Sequence, residues 1–278
     1  MTSDRPLEIN LHEILRKRMP RKTGRLVPGF LIGMLERLIH QEELNEMLRM
    51  GFPLRGSAFA WKLLEYLEIT VTVEGLDNLP GRRRFMFASN HPLGGLDGIA
   101  LIAVLGKKYG DNSVRFLVND MLMNVEPLSE VFLPVNKYGS QGREAAVAIN
   151  DALGSDMQIL QFPAGLVSRL HDDGSISDLE WHKAFVSQAI RHGRDIVPVR
   201  FEGLNSMRFY KTARRRKKLR LKVNIEQVLL PGELCKARHK KFRIIFGKPI
   251  TWQSLKESGL SPKEMAAQIR KEVYSTLN

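Results

Sequence analysis

Asn90-His91-Pro92-Leu93-Gly94-Gly95-Leu96-Asp97-Gly98 sets an imidazole and a carboxylate on either side of a glycine-bearing turn. An apolar run stops at the histidine, and another apolar segment opens at the aspartate. An ordinary histidine, with a pKa of about 6.5, exchanges a proton near neutral pH. A neighbouring carboxylate decides which ring nitrogen carries that proton. Gly94 and Gly95 let the backbone fold back without a Cβ penalty, so the two side chains can meet. The chemistry suggested is removal of a proton from an incoming hydroxyl, with His91 as general base and Asp97 orienting the ring. The blander alternative is a turn histidine beside a helix-capping aspartate. Position argues against it, because ligands in open α/β sheets bind where strands end.

Two more strand ends carry polar groups. Val131-Phe132-Leu133-Pro134-Val135-Asn136-Lys137 runs from an apolar strand into an amide and an ammonium. Leu160-Gln161-Phe162-Pro163-Ala164-Gly165-Leu166-Val167-Ser168-Arg169 runs through a Pro/Gly turn to a hydroxyl and a guanidinium. Either one alone reads equally well as a solvated loop. Together with His91 they describe a pocket with one base and two cations, suited to an anionic substrate. Arg169 would offer a bidentate fork and Lys137 a point charge.

The elements that must position these groups follow from periodicity. Residues 7–68 read as helical, with an apolar stripe at 30/31, 34/35 and 38/39. Beyond them, strand patterns (69–73, 84–89, 114–118, 131–135, 158–162, 196–201, 221–229, 242–246) alternate with helical ones (98–108, 142–153, 181–192). Ser261-Pro262 opens a closing helix. The expected fold class is α/β: a mixed, largely parallel sheet flanked by helices, with an N-terminal helical region. Residues 1–68 form that region, a candidate for membrane contact, and residues 69–278 carry the chemistry.

Composition narrows the partners. Forty-three Lys+Arg against 30 Asp+Glu give a net charge of +13, which favours anionic surfaces. Cys235 is the single cysteine, so neither an intrachain disulfide nor a thiolate metal cluster is expected. Histidines such as His182 and His192 lack metal-ligand spacing, and no metal is expected. The first residues lack the pattern of a signal peptide, and no apolar run approaches the ~18 residues of a membrane span. A membrane-associated form would therefore lie on the bilayer, on the cytoplasmic face.

Nine Lys/Arg and no acid occupy Arg208 to Lys222, with Phe209 and Tyr210 among them. The segment is either a solvated face or a docking patch for anionic lipid or an acidic carrier protein. A basic nucleic-acid- or membrane-binding module without catalysis would explain the charge, but it leaves three polar strand ends as coincidence. No zinc-finger spacing, RNP pattern or P-loop supports it, and no nucleic-acid partner is expected.

The order of the blocks resembles the glycerolipid acyltransferase superfamily of the lysophosphatidate acyltransferase type. Asn90-His91 to Asp97, Phe132 to Lys137, Phe162-Pro163-Ala164-Gly165 with Ser168-Arg169, and Ile196-Val197-Pro198-Val199 follow that family's sequence of blocks. The resemblance covers residues 69–250 and looks nearest to the hemolysin-like, ornithine- or glycine-lipid O-acyltransferase branch. Five residues rather than four separate His91 from Asp97. Ala164 stands where a glutamate is usual, and Lys137 where an arginine is usual.

The resemblance implies O-acyl transfer from a thioester on acyl carrier protein or coenzyme A to a lyso-lipid hydroxyl, with no other cofactor. It implies His91 and Asp97 as catalytic residues. Asn136, Lys137, Gly165, Ser168 and Arg169 would meet the substrate, and backbone N–H groups of the glycine turns would meet the oxyanion. An anionic membrane surface is the implied setting.

Overall fold

The computed structural model describes residues 5–18, 28–81, 83–135, 142–221 and 224–275. Four helices come first: α1 (Leu11–Arg18), α2 (Gly29–Leu38), α3 (Gln41–Gly51) and α4 (Gly56–Tyr66). Strands and helices then alternate as β1 (Thr70–Glu74), β2 (Phe85–Ser89), α5 (Leu96–Tyr109), β3 (Val114–Asn119), β4 (Phe132–Val135), α6 (Arg143–Gly154) and β5 (Gln158–Gln161). A two-strand ribbon, β6 (Arg169–Leu170) with β7 (Ile176–Ser177), precedes α7 (Ala184–His192) and β8 (Asp195–Glu202). The chain closes with α8 (Met207–Lys218), α9 (Leu230–Cys235), β9 (Lys241–Phe246), α10 (Trp252–Glu257) and α11 (Pro262–Ser275).

Seven strands form one sheet in the order β1-β9-β8-β2-β5-β3-β4. Every neighbouring pair is parallel except β8 with β9. The expected mixed, largely parallel α/β architecture is the one found. Its consequence for function is direct: β8, β2, β5, β3 and β4 all end at the same edge.

Central strands buried on both faces need continuous apolar runs. In β2, Phe85 and Phe87 enter one core with α4 and α5, while Met86 and Ala88 enter the other with α7 and α11. The early helices share the first core, through Met47 and Leu48 on α3 and Phe59, Ala60, Leu63 and Leu64 on α4. Ser261 caps α11 reciprocally: its hydroxyl accepts from Glu264 N–H and Glu264 Oε2 accepts from Ser261 N–H, a capping box.

Two boundaries differ from the periodicity reading. Of the segment expected as a strand at 221–229, residues 222 and 223 lie outside the described residues, and Ile225–Leu229 is a 3-10 turn running into α9. Ile225 and Val228, three apart, point outward, while Glu226 between them is fully buried. Ion pairing of that carboxylate overrides strand propensity. The helix expected from Trp181 begins at Ala184, because the Trp181 indole N–H turns back to Asp178 Oδ2 at 3.0 Å.

Candidate active site

The end of β2 is tied down before the chemistry begins. The Asn90 side-chain amide donates to Phe201 O (2.9 Å) and its oxygen accepts from Phe201 N–H (2.7 Å), extending the β2–β8 pairing past the last regular residue. His91 follows, 16% exposed, with Nδ1 3.0 Å from Asp97 Oδ2. The five intervening residues are absorbed by a turn in which Gly94 has φ +82°. A Cβ there would lie 2.6 Å from Val167 Cγ2 and 2.9 Å from Leu230 Cδ2, so the glycine supplies room as well as conformation.

Asp97 lies within the first turn of α5 rather than at its N-cap, and its Oδ1 accepts from Gly98 N–H (2.9 Å). Its fully buried carboxylate reaches back over the turn, and Oδ2 accepts from Leu93 N–H (2.9 Å) and Gly94 N–H (3.2 Å) besides the imidazole. Burial pushes this carboxyl upward, but the charge and hydrogen bond of His91 and the two backbone donors outweigh it. The net position is below the ordinary carboxylate value. An ionised carboxylate only accepts, so His91 carries its proton on Nδ1 and keeps its lone pair on Nε2. One face of the ring stacks on Phe162 from the loop after β5, centroids 4.0 Å apart at 24°.

A second carboxylate supports the same histidine from its main chain. Asp178, fully buried just after β7, accepts from His91 N–H (3.2 and 3.3 Å), Ser168 Oγ–H (2.6 Å) and the Trp181 indole N–H (3.0 Å). Ser168 N–H in turn donates to His91 O at 2.9 Å. From the loop after β8, Asn205 Nδ2 donates to Pro92 O at 3.2 Å, and Tyr210 Oη accepts from Asn205 N–H at 3.1 Å. Burial pushes the Tyr210 hydroxyl up to about 12.

The other residues singled out from sequence fall differently. Gly165 adopts φ +63°, and its N–H donates to Phe162 O at 2.9 Å. Ser168 was expected to face a substrate, and its buried hydroxyl instead closes on Asp178. Arg169 was likewise expected to grip an anion. Its Nη2 lies 2.8 Å from Glu226 Oε1, and Nη1 donates to Val167 O. Arg216 Nε sits 2.9 Å from the other Glu226 oxygen, at ion-pair distance but not aligned for a hydrogen bond. Both guanidinium groups turn inward because a buried carboxylate needs compensating charge.

Of the glycine-turn amides expected to meet an oxyanion, those of Gly94 and Gly165 are already bonded within the protein. Asn136 and Lys137 lie outside the described residues. β4, which leads to them, is three strands from β2, roughly 14 Å along the sheet.

Sequence reasoning missed Asp178, Asn205 and Glu226. Each acts through a long-range contact, and none stands at a motif spacing. The only local signal is Asp172-Asp173-Gly174, a turn sequence that closes the β6–β7 ribbon and delivers Asp178.

Comparison with known proteins assigns the family. The sequence model of the acyltransferase family matches residues 13–278, and the chain belongs to that family. A lyso-glycine lipid O-acyltransferase of Phocaeicola vulgatus is 42% identical over 274 residues, spanning 99% of this chain and 97% of that protein. The enzyme of the same name from Bacteroides thetaiotaomicron is 41% identical over 274 residues, spanning 99% of both. Among solved structures, a 1-acyl-sn-glycerophosphate (LPA) acyltransferase, PlsC, from Thermotoga maritima aligns with a TM-score of 0.46 and 16% identity, over 89% of this chain and 91% of that one.

Proposed function

We propose that this acyltransferase moves a fatty acyl group from a thioester on acyl carrier protein or coenzyme A to the hydroxyl of a lyso-lipid, with a lyso-glycine lipid as the acceptor. The observation that carries the chemistry is the 3.0 Å contact of His91 Nδ1 with the buried Asp97 carboxylate, in a ring that still reaches the surface. The acceptor class rests on the two relatives, whose names specify it.

His91 Nε2 takes the hydroxyl proton as the acceptor oxygen attacks the thioester carbonyl. Asp97 steadies the imidazolium that results. Collapse of the tetrahedral intermediate breaks the C–S bond, and the imidazolium returns its proton to the departing sulfur. An ester and a free thiol remain. The thioester is already activated, so the reaction needs no resident cofactor or metal.

The same reading places the protein on the anionic, cytoplasmic face of the membrane. Support comes from α8 and its flanks, which leave β8 at the His91 edge of the sheet. Lys211, Arg215, Lys217 and Lys218 are exposed there beside exposed Leu204, Met207 and Leu219. Cations interleaved with apolar side chains suit a lipid surface, each charge contributing about 1 kcal/mol. Among the described residues no helix is long and apolar enough to cross a membrane.

Purified enzyme incubated with acyl thioester and either lyso-glycine lipid or lysophosphatidate, with products read by mass spectrometry, tests the proposal. Di-acylated glycine lipid is the expected product. Acylation of lysophosphatidate alone would overturn the acceptor, and no product from either would overturn the reaction. Flotation with anionic liposomes but not zwitterionic ones, lost at high salt, checks the membrane face.

A further inference from the structure

Asp178 is the least explained charge near the site. It is fully buried, lies on no motif, and gathers three donors from three separate segments. Burial pushes its carboxyl above the ordinary carboxylate value, against the pull of the Ser168, Trp181 and His91 N–H donors and of the His91 charge. Two of those donors, the His91 N–H and the Trp181 indole, cannot accept, so their bonds call for a carboxylate acceptor rather than an acid donor. Its own backbone is gripped by α11: Asp178 N–H donates to Tyr274 Oη (2.8 Å), and Arg270 Nη2 donates to Asp178 O (2.5 Å). The result is a chain of contacts from the C-terminal helix, through one carboxylate, to the main chain of the histidine.

We infer that Asp178 is a positioning residue for His91: it locks the loops after β2 and β5 together, and its charge favours the imidazolium that forms during transfer. The inference rests on the acyl-transfer role given to His91. This clasp adds to the hold of Asp97 at one ring nitrogen and of Phe162 at one face. A small misplacement of a general base costs far more in rate than in binding. The other charged and titratable groups around the two loops are Asp97 on α5, Tyr210 on α8, Arg169 with Glu226, His182 beside Gly165, and Arg270 and Tyr274 on α11. The substitution below leaves these residues in place but removes a charge that Arg169 and Tyr274 also feel, so the His91 resonances are read directly.

Asp178→Asn keeps the shape and an oxygen for the His91 N–H but removes the charge. The expected result is a fall in kcat of about 10- to 100-fold, with KM for the acceptor within about twofold. A carboxylate favours the protonated ring, so its removal lowers the His91 pKa, and the acid limb of kcat/KM moves to lower pH. The His91 titration is read without substrate by NMR on histidine-labelled protein, assigned by comparison with His91→Ala.

A folded Asp178→Asn protein with wild-type kcat and an unshifted His91 titration would overturn the inference, even if its melting temperature fell. Should that variant not fold, Ser168→Ala tests the clasp by removing the hydroxyl that links the loops. A several-fold loss of kcat with unchanged KM supports it, and wild-type kcat overturns it. The outcomes separate cleanly. Wild-type enzyme inactive on every lyso-lipid would sink the proposed function, while the substrate-free titration would still judge Asp178.

Discussion

Two fully buried carboxylates sit near the same edge of the sheet, and they do opposite things with their cationic partners. Asp97 holds an imidazole that is still partly exposed. Glu226 is enclosed by two guanidinium groups, those of Arg169 and Arg216, and consumes both. The first arrangement leaves a titratable nitrogen for chemistry, because a neutral imidazole bonded through Nδ1 retains a basic Nε2. The second leaves little, because arginine stays charged and its donors are spent on the carboxylate and neighbouring carbonyls. A motif written as Ser-Arg after a Pro/Gly turn thus becomes a clamp on the loop that supports His91.

The contrast breaks most sharply at His91. His91→Ala should cut acyl transfer by about 10³- to 10⁴-fold while leaving the melting temperature almost unchanged. Thioester-dependent product formation and a thermal melt on the same sample check both halves, and near-normal turnover would remove the ring from the mechanism.

Asp97→Asn should cost somewhat less, about 10²- to 10³-fold, since the amide still orients the ring but no longer steadies its charge. This carboxyl titrates below its ordinary value in the folded chain. Its stabilising contribution is therefore complete above about pH 4 and is lost as pH falls through the lower folded value. Acid unfolding of the Asn variant should depend less steeply on pH in that range, as circular dichroism would record.

Glu226→Gln is the converse experiment. Leaving two largely enclosed guanidinium groups without their buried carboxylate should cost about 3 kcal/mol of stability, or a melting temperature lower by roughly 6–12 °C. Turnover measured well below that temperature should stay within a few-fold of wild type. A collapse of kcat with intact stability would mean that the two carboxylates are not opposites after all.

Gly94→Ala gives the smallest effect, about 1–3 kcal/mol, from a left-handed backbone position and from contact with Val167 and Leu230. Because the Gly94 N–H also holds Asp97, loss of activity in step with loss of stability is expected when the two are titrated together by temperature.

Much of this was readable in the chain. Phe85 to Ala88 is an uninterrupted apolar run because β2 is buried on both faces, and the polar Ser89 and Asn90 that end it are buried too, so His91 is the first residue past the strand that is not buried. Ser261 and Glu264 mark a helix start by a purely local exchange of hydrogen bonds. The 221–229 segment was not readable. Its β-branched residues favour a strand, yet Glu226 had to turn under two arginines brought in from β6 and α8. Asp178 was invisible for a related reason: the residues it joins stand 87, 10 and 3 positions away. The β6–β7 ribbon carries two residues per strand, too short to leave a period-two pattern.

What the amino-acid order decided by itself is the set of short-range devices: the alternation of strands and helices, the glycine that permits a left-handed turn, and the histidine and aspartate on its two sides. These depend on φ/ψ preference and side-chain period, which act over a few residues. Only tertiary structure decided which buried charges would meet. Asp97 found a ring that keeps some exposure, whereas Glu226 and Asp178 found groups from distant segments that closed over them. The reason is energetic: a charge removed from water must be compensated by whatever the fold brings within hydrogen-bonding distance, and chain order does not specify that neighbour.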